Sequence, residues 1–237
     1  MSHTLSPADR AKDASARAAL VEVQDGMKLG LGTGSTAAFL VAALGERVKA
    51  EGLRLTAVPT SSQTARLAAA VGIETVTLDA AGRLDLTIDG ADEFDDALVL
   101  VKGGGGALLH EKIVAAASDR MVVIADDSKH VARLGAFPLP VEVIPFGWES
   151  SRSHIRKVLE SLGYDGGAVA LRGGEAPFRT DEGNLILDLK LGAIADAELL
   201  AARLLAVPGV VETGLFIGMA AKAILGSADG STREVVR

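Results

Sequence analysis

The chain has 237 residues and a formal charge of −7, the wrong sign for a nucleic-acid partner, whose phosphates favour basic surfaces. It contains no cysteine, which removes disulfides and thiolate chemistry, and its hydrophobic content of 49% with 3% aromatics describes an interior of Ala, Val, Leu and Ile. Met1 to Arg10 is polar, without a signal-peptide core, and no apolar run reaches membrane-spanning length, so the expectation is a cytoplasmic protein with neither a nucleic-acid nor a membrane partner.

Taken in chain order, Pro7 to Met27 reads as a helix opening after Ser6 with proline at its first position. Lys28-Leu-Gly-Leu-Gly-Thr33-Gly-Ser-Thr36 reads as a short strand running into a glycine turn, followed by a helix over Ala37 to Ala50. Strands are expected over Leu53 to Val58, Glu74 to Leu78 and Leu84 to Ile88, with a helix over Ser62 to Val71. Glu111 to Ser118 reads as helix and Met121 to Ala125 as a buried strand ending at Asp126-Asp-Ser-Lys129. Short apolar strands alternating with helices indicate βαβ units: an α/β fold, Rossmann-like, layered around a parallel sheet.

The pattern changes after Arg133. Phe137-Pro-Leu-Pro-Val-Glu-Val-Ile-Pro145 is extended, because proline restrains its own φ and disfavours helix in the preceding residue. A helix over Ser151 to Leu162, strands over Ala168 to Leu171 and Leu185 to Leu189, a helix over Asp196 to Leu205 and a returning strand over Gly209 to Phe216 complete the pattern. This is the signature of a smaller α+β domain inserted in the first: residues 133–205 within a main domain of residues 1–132 and 206–237.

Five segments carry chemistry. Gly32-Thr33-Gly34-Ser35-Thr36 sits where a strand turns into a helix, so free N–H groups and hydroxyls favour an anion there; a capped tight turn is the plainer alternative. A dinucleotide fits less well, since Ser35 stands where a third glycine belongs and no acid ends the next strand. Asp89 and Asp92 lie past an apolar strand end, where sugar hydroxyls or ring-opening protons could meet them; Glu93, Asp95 and Asp96 read instead as a solvated Asx-type turn. Lys102-Gly103-Gly104-Gly105-Gly106 offers a cation beside bare amides able to line an oxyanion site. Glu111 is the candidate general base, although at a helix start it is also a plain dipole partner. Lys129 ends another strand within reach of a phosphate or hydroxyl. Of the four histidines, His110 is placed to help Glu111, and His3, His130 and His154 read as solvated. No metal ligand set is apparent.

Together, Gly-Leu-Gly-Thr-Gly-Ser-Thr (30 to 36), Asp-Gly-Ala-Asp-Glu (89 to 93), Lys-Gly-Gly-Gly-Gly-Ala-Leu (102 to 108), Glu-Lys (111 and 112) and Ser-Lys (128 and 129) closely resemble type A ribose-5-phosphate isomerase. Phe137 to Pro145, Gly183 to Asp188 and Pro208 to Phe216 extend the resemblance over almost the whole chain. It implies an aldose-ketose isomerase interconverting D-ribose 5-phosphate and D-ribulose 5-phosphate, in the non-oxidative pentose phosphate pathway, through a cis-enediolate. It also implies a smaller domain of ferredoxin-like α+β type, no metal or organic cofactor, and a homo-oligomer, a dimer or dimer of dimers. By motif match Glu111, Lys102 and Asp89 become catalytic. Thr33, Gly34, Ser35, Thr36, Asp89, Gly90, Ala91, Asp92, Lys102, Gly103, Gly104, Gly105 and Lys129 become substrate contacts. Two departures stand out: His110 where many relatives carry Arg, and Gly106 where some carry Ala. The alternatives of another class are a phosphosugar-sensing module on a related fold, which would need no Glu111–Lys102 pair, and an amino-sugar phosphate deaminase or lactonase.

Overall fold

The computed structural model describes residues 5–165 and 169–236; His3 and Ala168 lie outside the described residues. Helix α1 (Pro7–Ala19) starts as its sequence dictates, with Ser6 Oγ accepting from Asp9 N at 3.1 Å. It stops short of the expected Met27, passing into a 3-10 turn at Leu20–Glu22. There the Arg47 guanidinium donates to the carbonyls of Leu20 and Val23 at 2.6 and 2.8 Å and so satisfies the helix end.

Strand β1 (Lys28–Leu31) leads into α2 (Ser35–Glu51), β2 (Thr56–Pro59) and α3 (Ser62–Val71). The strand expected over Glu74 to Leu78 does not form. Thr75 makes one isolated bridge to Ala57, and Thr77 Oγ1 then caps Ala80 N at 3.3 Å, turning the chain into a single helical turn, α4 (Leu78–Ala81). Next come β3 (Leu86–Asp89), β4 (Glu93–Phe94), β5 (Leu100–Val101), α5 (Leu108–Ala116) and β6 (Met121–Asp126). The second part comprises β7 (Leu139–Val143), α6 (Trp148–Ser161), β8 (Val169–Leu171), β9 (Leu185–Leu189), α7 (Ala197–Leu205) and β10 (Val210–Thr213). Strands β11 (Leu215–Phe216), β12 (Ala220–Gly226) and β13 (Thr232–Val236) close the chain.

The main sheet has the order β13-β12-β6-β3-β1-β2, parallel throughout except for the edge strand β13. From β1 the chain crosses to β2 on one side and returns to β3 on the other, so the topology reverses beside β1. Open α/β sheets bind ligands in the crevice that such a reversal leaves at the carboxyl ends of the strands. Leu29, Leu31, Ile88, Val122 and Ile124 are fully buried beneath it, each contributing on the order of 1.5–3 kcal/mol of apolar burial. The second sheet, order β10-β7-β9-β8, is antiparallel and carries α6 and α7. This βαββαβ arrangement is ferredoxin-like, with its own core around Leu139, Val141, Ile155, Leu187 and Leu204.

The single returning strand expected over Gly209 to Phe216 is two strands in different sheets: β10 pairs with β7, and β11 pairs with β5 in a three-stranded β11-β5-β4 sheet. Gly214 lies between them, its carbonyl accepting from Lys102 N at 2.8 Å and its own N–H bonded to Pro140 O at 2.7 Å. A side chain there would overlap the Lys102 carbonyl. Among the described residues no helix is long and apolar enough to cross a membrane.

Candidate active site

Strands β1, β3 and β6 run parallel and end side by side, so the segments that follow them meet in one cleft of about 280 Å³. After β1, the turn to α2 places Thr33, Gly34, Ser35 and Thr36 on the cleft wall. Gly34 caps α2 at φ 110°, and no side chain caps the helix. The open N–H groups of this 17-residue helix therefore face the cleft as an anion seat. The Thr33 hydroxyl serves the scaffold, standing 2.8 Å from the hydroxyls of both Thr60 and Ser61. A Cβ at Gly32 would overlap the Asp89 carboxylate, so glycine is what lets the two strand ends close up.

After β3, Gly90, Ala91 and Asp92 line the cleft. Asp89 does not. It is fully buried one layer below, its Oδ1 accepting from Gly90 N at 2.7 Å and Thr33 N at 3.1 Å. Its Oδ2 stands 3.0 Å from Lys102 Nζ, at ion-pair distance but off the hydrogen-bond line. Lys102 follows β5 and projects its ammonium between strand ends, donating to Gly90 O at 2.6 Å and standing 3.4 Å from Glu111 Oε1. Helix α5 begins three residues earlier than the sequence pattern indicates, so Glu111 lies on its first turn, buried, with Oε2 unpartnered.

One buried ammonium here faces two buried carboxylates and cannot neutralise both. Burial, reinforced by the negative charge of Asp89 and opposed by Lys102, pushes the Glu111 carboxyl up to about 8. Burial likewise raises Asp89 against the pull of Lys102. Burial disfavours the Lys102 ammonium, but Asp89 and Glu111 outweigh it and hold the amine above its ordinary value. The result is a fixed cation beside a carboxyl able to take up and release a proton near neutrality.

The glycine run wraps the far side. Gly103, Gly104 and Gly105 line the cleft, and Gly104 N donates to Asp92 Oδ2 at 2.7 Å. Lys129, at the end of the 3-10 turn after β6, completes the wall with Asp126 and Ser128. Lys12, on α1, also lines the cleft and was missed in the sequence. Its only signal was its place four residues after Ala8 on a helix face that reaches the same wall.

Other expectations are corrected. His110 points away from Glu111: its Nε2 lies 2.7 Å from Glu182 Oε1, outside the cleft. His130 is not solvated but stacks on Phe94 at 4.9 Å, with Nε2 2.7 Å from Asp96. Glu93 leaves the acidic turn for the interior, accepting from Gly135 N at 2.7 Å and Phe137 N at 2.6 Å, while Asp95 does form the turn with Ala97 N and Val99 N. Lys112 joins Glu212 and the Thr213 carbonyl, both at 2.7 Å.

The chain is similar to known proteins over most of its length. Residues 56–230 match the family model described as ribose 5-phosphate isomerase A (phosphoriboisomerase A). A ribose-5-phosphate isomerase A of Cereibacter sphaeroides is 61% identical over 227 residues, covering 95% of this chain and 87% of the relative. One from Roseobacter denitrificans is 60% identical over 231 residues, covering 97% and 88%. Among solved structures, the ribose 5-phosphate isomerase of Plasmodium falciparum superposes with a TM-score of 0.90 at 34% identity, covering 97% of this chain and 99% of that one. A D-ribose-5-phosphate isomerase in complex with phospho-erythronic acid superposes at 0.89 and 35%, covering 97% and 99%.

Proposed function

Because the chain belongs to the ribose 5-phosphate isomerase A family, and so interconverts D-ribose 5-phosphate and D-ribulose 5-phosphate, we propose that the cleft at the ends of β1, β3 and β6 carries out this reaction through a cis-enediolate. The observation that carries the assignment is the buried triad: Lys102 Nζ lies 3.0 Å from Asp89 and 3.4 Å from Glu111, under a wall of open amides. The substrate phosphate sits at the α2 N-terminus, on the N–H groups of Gly34 to Thr36, with Lys12 and Lys129 supplying charge. This leaves the sugar lying across Gly90 to Asp92, towards Glu111.

In the ring form, Lys102 donates to the ring oxygen, and Asp89 behind it keeps that ammonium in place. As the bond from C1 to the ring oxygen breaks, that oxygen takes a proton from Lys102 and the hemiacetal hydroxyl's proton replaces it on the amine, leaving the C1 aldehyde and an intact ammonium. Glu111, as carboxylate, removes the proton from C2. The electron pair moves to the C1–C2 bond, and charge gathers on the C1 oxygen against Lys102 and the Gly105 N–H. Return of the same proton from Glu111 to C1, with the C2 hydroxyl proton passing to the C1 oxygen, gives the ketose and restores the Glu111 carboxylate. A positioned base typically supplies about 10²–10⁴-fold, and preorganised donors to the growing oxyanion a comparable factor for each donor.

The same reading divides the chain into a main domain of residues 1–132 with 206–237 and a smaller one of 133–205, and the pairing of β10 with β7 extends the smaller one to Thr213. It also holds the protein to be cytoplasmic and a homo-oligomer, a dimer or dimer of dimers. A coupled assay with ribose 5-phosphate, run in deuterated water with and without chelator, tests the reaction. Turnover with less than full deuterium incorporation at C1 is expected, as one carboxyl carries the proton between carbons. Absence of turnover overturns the assignment.

A further inference from the structure

The glycine loop is also held from outside the cleft. Arg172, directly after β8, donates from Nη1 to the carbonyls of Gly103 and Gly104, at 2.8 and 3.2 Å. Its other edge is locked by Asp188 on β9, with Nε to Oδ2 at 2.9 Å and Nη2 to Oδ1 at 2.5 Å, a bidentate fork that fixes the guanidinium plane. The two side chains are only 17% and 21% exposed. Phe178 packs nearby, its ring 5.9 Å from the guanidinium and pressed against Gly106, where any side chain would collide with it. Neither Arg172 nor Asp188 lines the cleft.

The peptide bond makes this contact consequential. In a planar trans peptide the C=O and the following N–H point in opposite directions. A cation on the outer face of the loop, bonded to the Gly104 oxygen, therefore aims the Gly105 N–H inward and strengthens it as a donor. The Gly103 carbonyl stands in the same relation to the Gly104 N–H, which holds Asp92 at 2.7 Å. The Gly105 N–H has no acceptor among the described residues. One guanidinium thus biases two successive amides, one spent on orienting a cleft carboxylate and one left for substrate. A loop of four glycines has little intrinsic preference for one arrangement; its own turn bond, Gly106 N to Gly103 O at 2.9 Å, leaves the Gly104 carbonyl to the external tie.

We infer that Arg172, braced by Asp188, is a positioning residue for the isomerisation, fixing and polarising the Gly104 and Gly105 peptides so that the Gly105 N–H meets the enediolate oxygen. The inference rests on the cleft being the isomerase centre. It assigns to the smaller, ferredoxin-like part of the chain a direct share in transition-state stabilisation, through backbone rather than through a side chain in the cleft.

The decisive variant is Arg172→Met combined with Asp188→Asn, so that no carboxylate is left half-buried and unpaired. Its kcat should fall about tenfold, less than removal of a whole oxyanion donor, with KM for ribose 5-phosphate within about twofold of wild type. The Gly104 and Gly105 amide proton resonances should move upfield while the rest of the amide spectrum stays in place. Arg172→Lys, which keeps one cationic donor but not the fork, should recover part of kcat. It carries the test alone if the double variant does not fold. Unchanged kcat, a fall in kcat matched by an equal rise in KM, or a Gly105 resonance that does not move would each overturn the inference. Failure of the underlying reading looks different: wild-type protein would then not isomerise ribose 5-phosphate at all, whatever the Gly105 resonance does.

Discussion

Replacing Glu111 by Gln separates the chemistry of this site from its burden on the fold. The carboxyl, ordinarily at 4.5, is pushed up to about 8 by burial and by the charge of Asp89. The folded protein therefore holds this proton more tightly than the unfolded chain does. Below pH 4.5 the group is neutral in both states and carries no penalty. As the pH rises from there towards 8, the unfolded chain ionises freely while the folded one resists, and stability is lost. The interval of about 3.5 pH units, at about 1.36 kcal/mol each, comes to about 5 kcal/mol, of which about 3 is already present at pH 7. A glutamine side chain never ionises and escapes this loss. Urea unfolding followed by far-UV circular dichroism from pH 5 to 9 should show the variant gaining on wild type by several kcal/mol across that range. The same substitution should lower kcat by at least about 10²–10⁴-fold while leaving KM nearly unchanged. Parallel stability curves for the two proteins would refute the burial argument. Retained turnover would refute the base assignment.

In the wild type, kcat/KM should rise with pH towards a plateau above about 8, because only the ionised Glu111 accepts the C2 proton; a profile flat from pH 6 to 9 contradicts this. Lys102→Met strands two buried carboxylates and should destabilise by about 3–5 kcal/mol, with kcat falling more than KM rises; a change confined to KM would make Lys102 a ground-state binder. Lys12→Ala should raise KM about tenfold, the loss of one charge-assisted contact to phosphate, and weaken inhibition by inorganic phosphate in parallel; if KM alone shifts, Lys12 does not face the phosphate. His110→Ala removes only a partly exposed pair with Glu182, so stability should change by less than about 1 kcal/mol and kcat by less than about threefold. A larger drop in kcat would mean that His110 does assist Glu111.

Local patterns carried far into this structure. The strand-turn-helix at Gly32 to Thr36, the acids after β3, and Lys102 with its glycine run were readable because each combines an apolar strand with residues that are poorly tolerated at a strand end unless a ligand is bound there. Periodicity placed α3 and β9 correctly to the residue. It failed at Glu74 to Leu78, where the β-prone Thr75, Val76 and Thr77 had room for one bridge before Thr77 capped a helical turn. It failed again at Gly209 to Phe216, where one apolar run serves two sheets.

What sequence by itself determined is the inventory: which strands end in which chemistry, and that anion seat, base and cation all belong to one βαβ series. Tertiary structure alone decided depth and direction. Asp89 sinks below the cleft, His110 turns outward, Glu93 turns inward to hold the Gly135 and Phe137 amides, Lys12 joins the cleft wall, and Arg172 holds the glycine loop from outside it. The reason is physical. Whether a charged group lines a cleft or lies beneath it depends on partners distant in the chain, and the two buried carboxylates are tolerable only because packing brings a single ammonium within 3.4 Å of both.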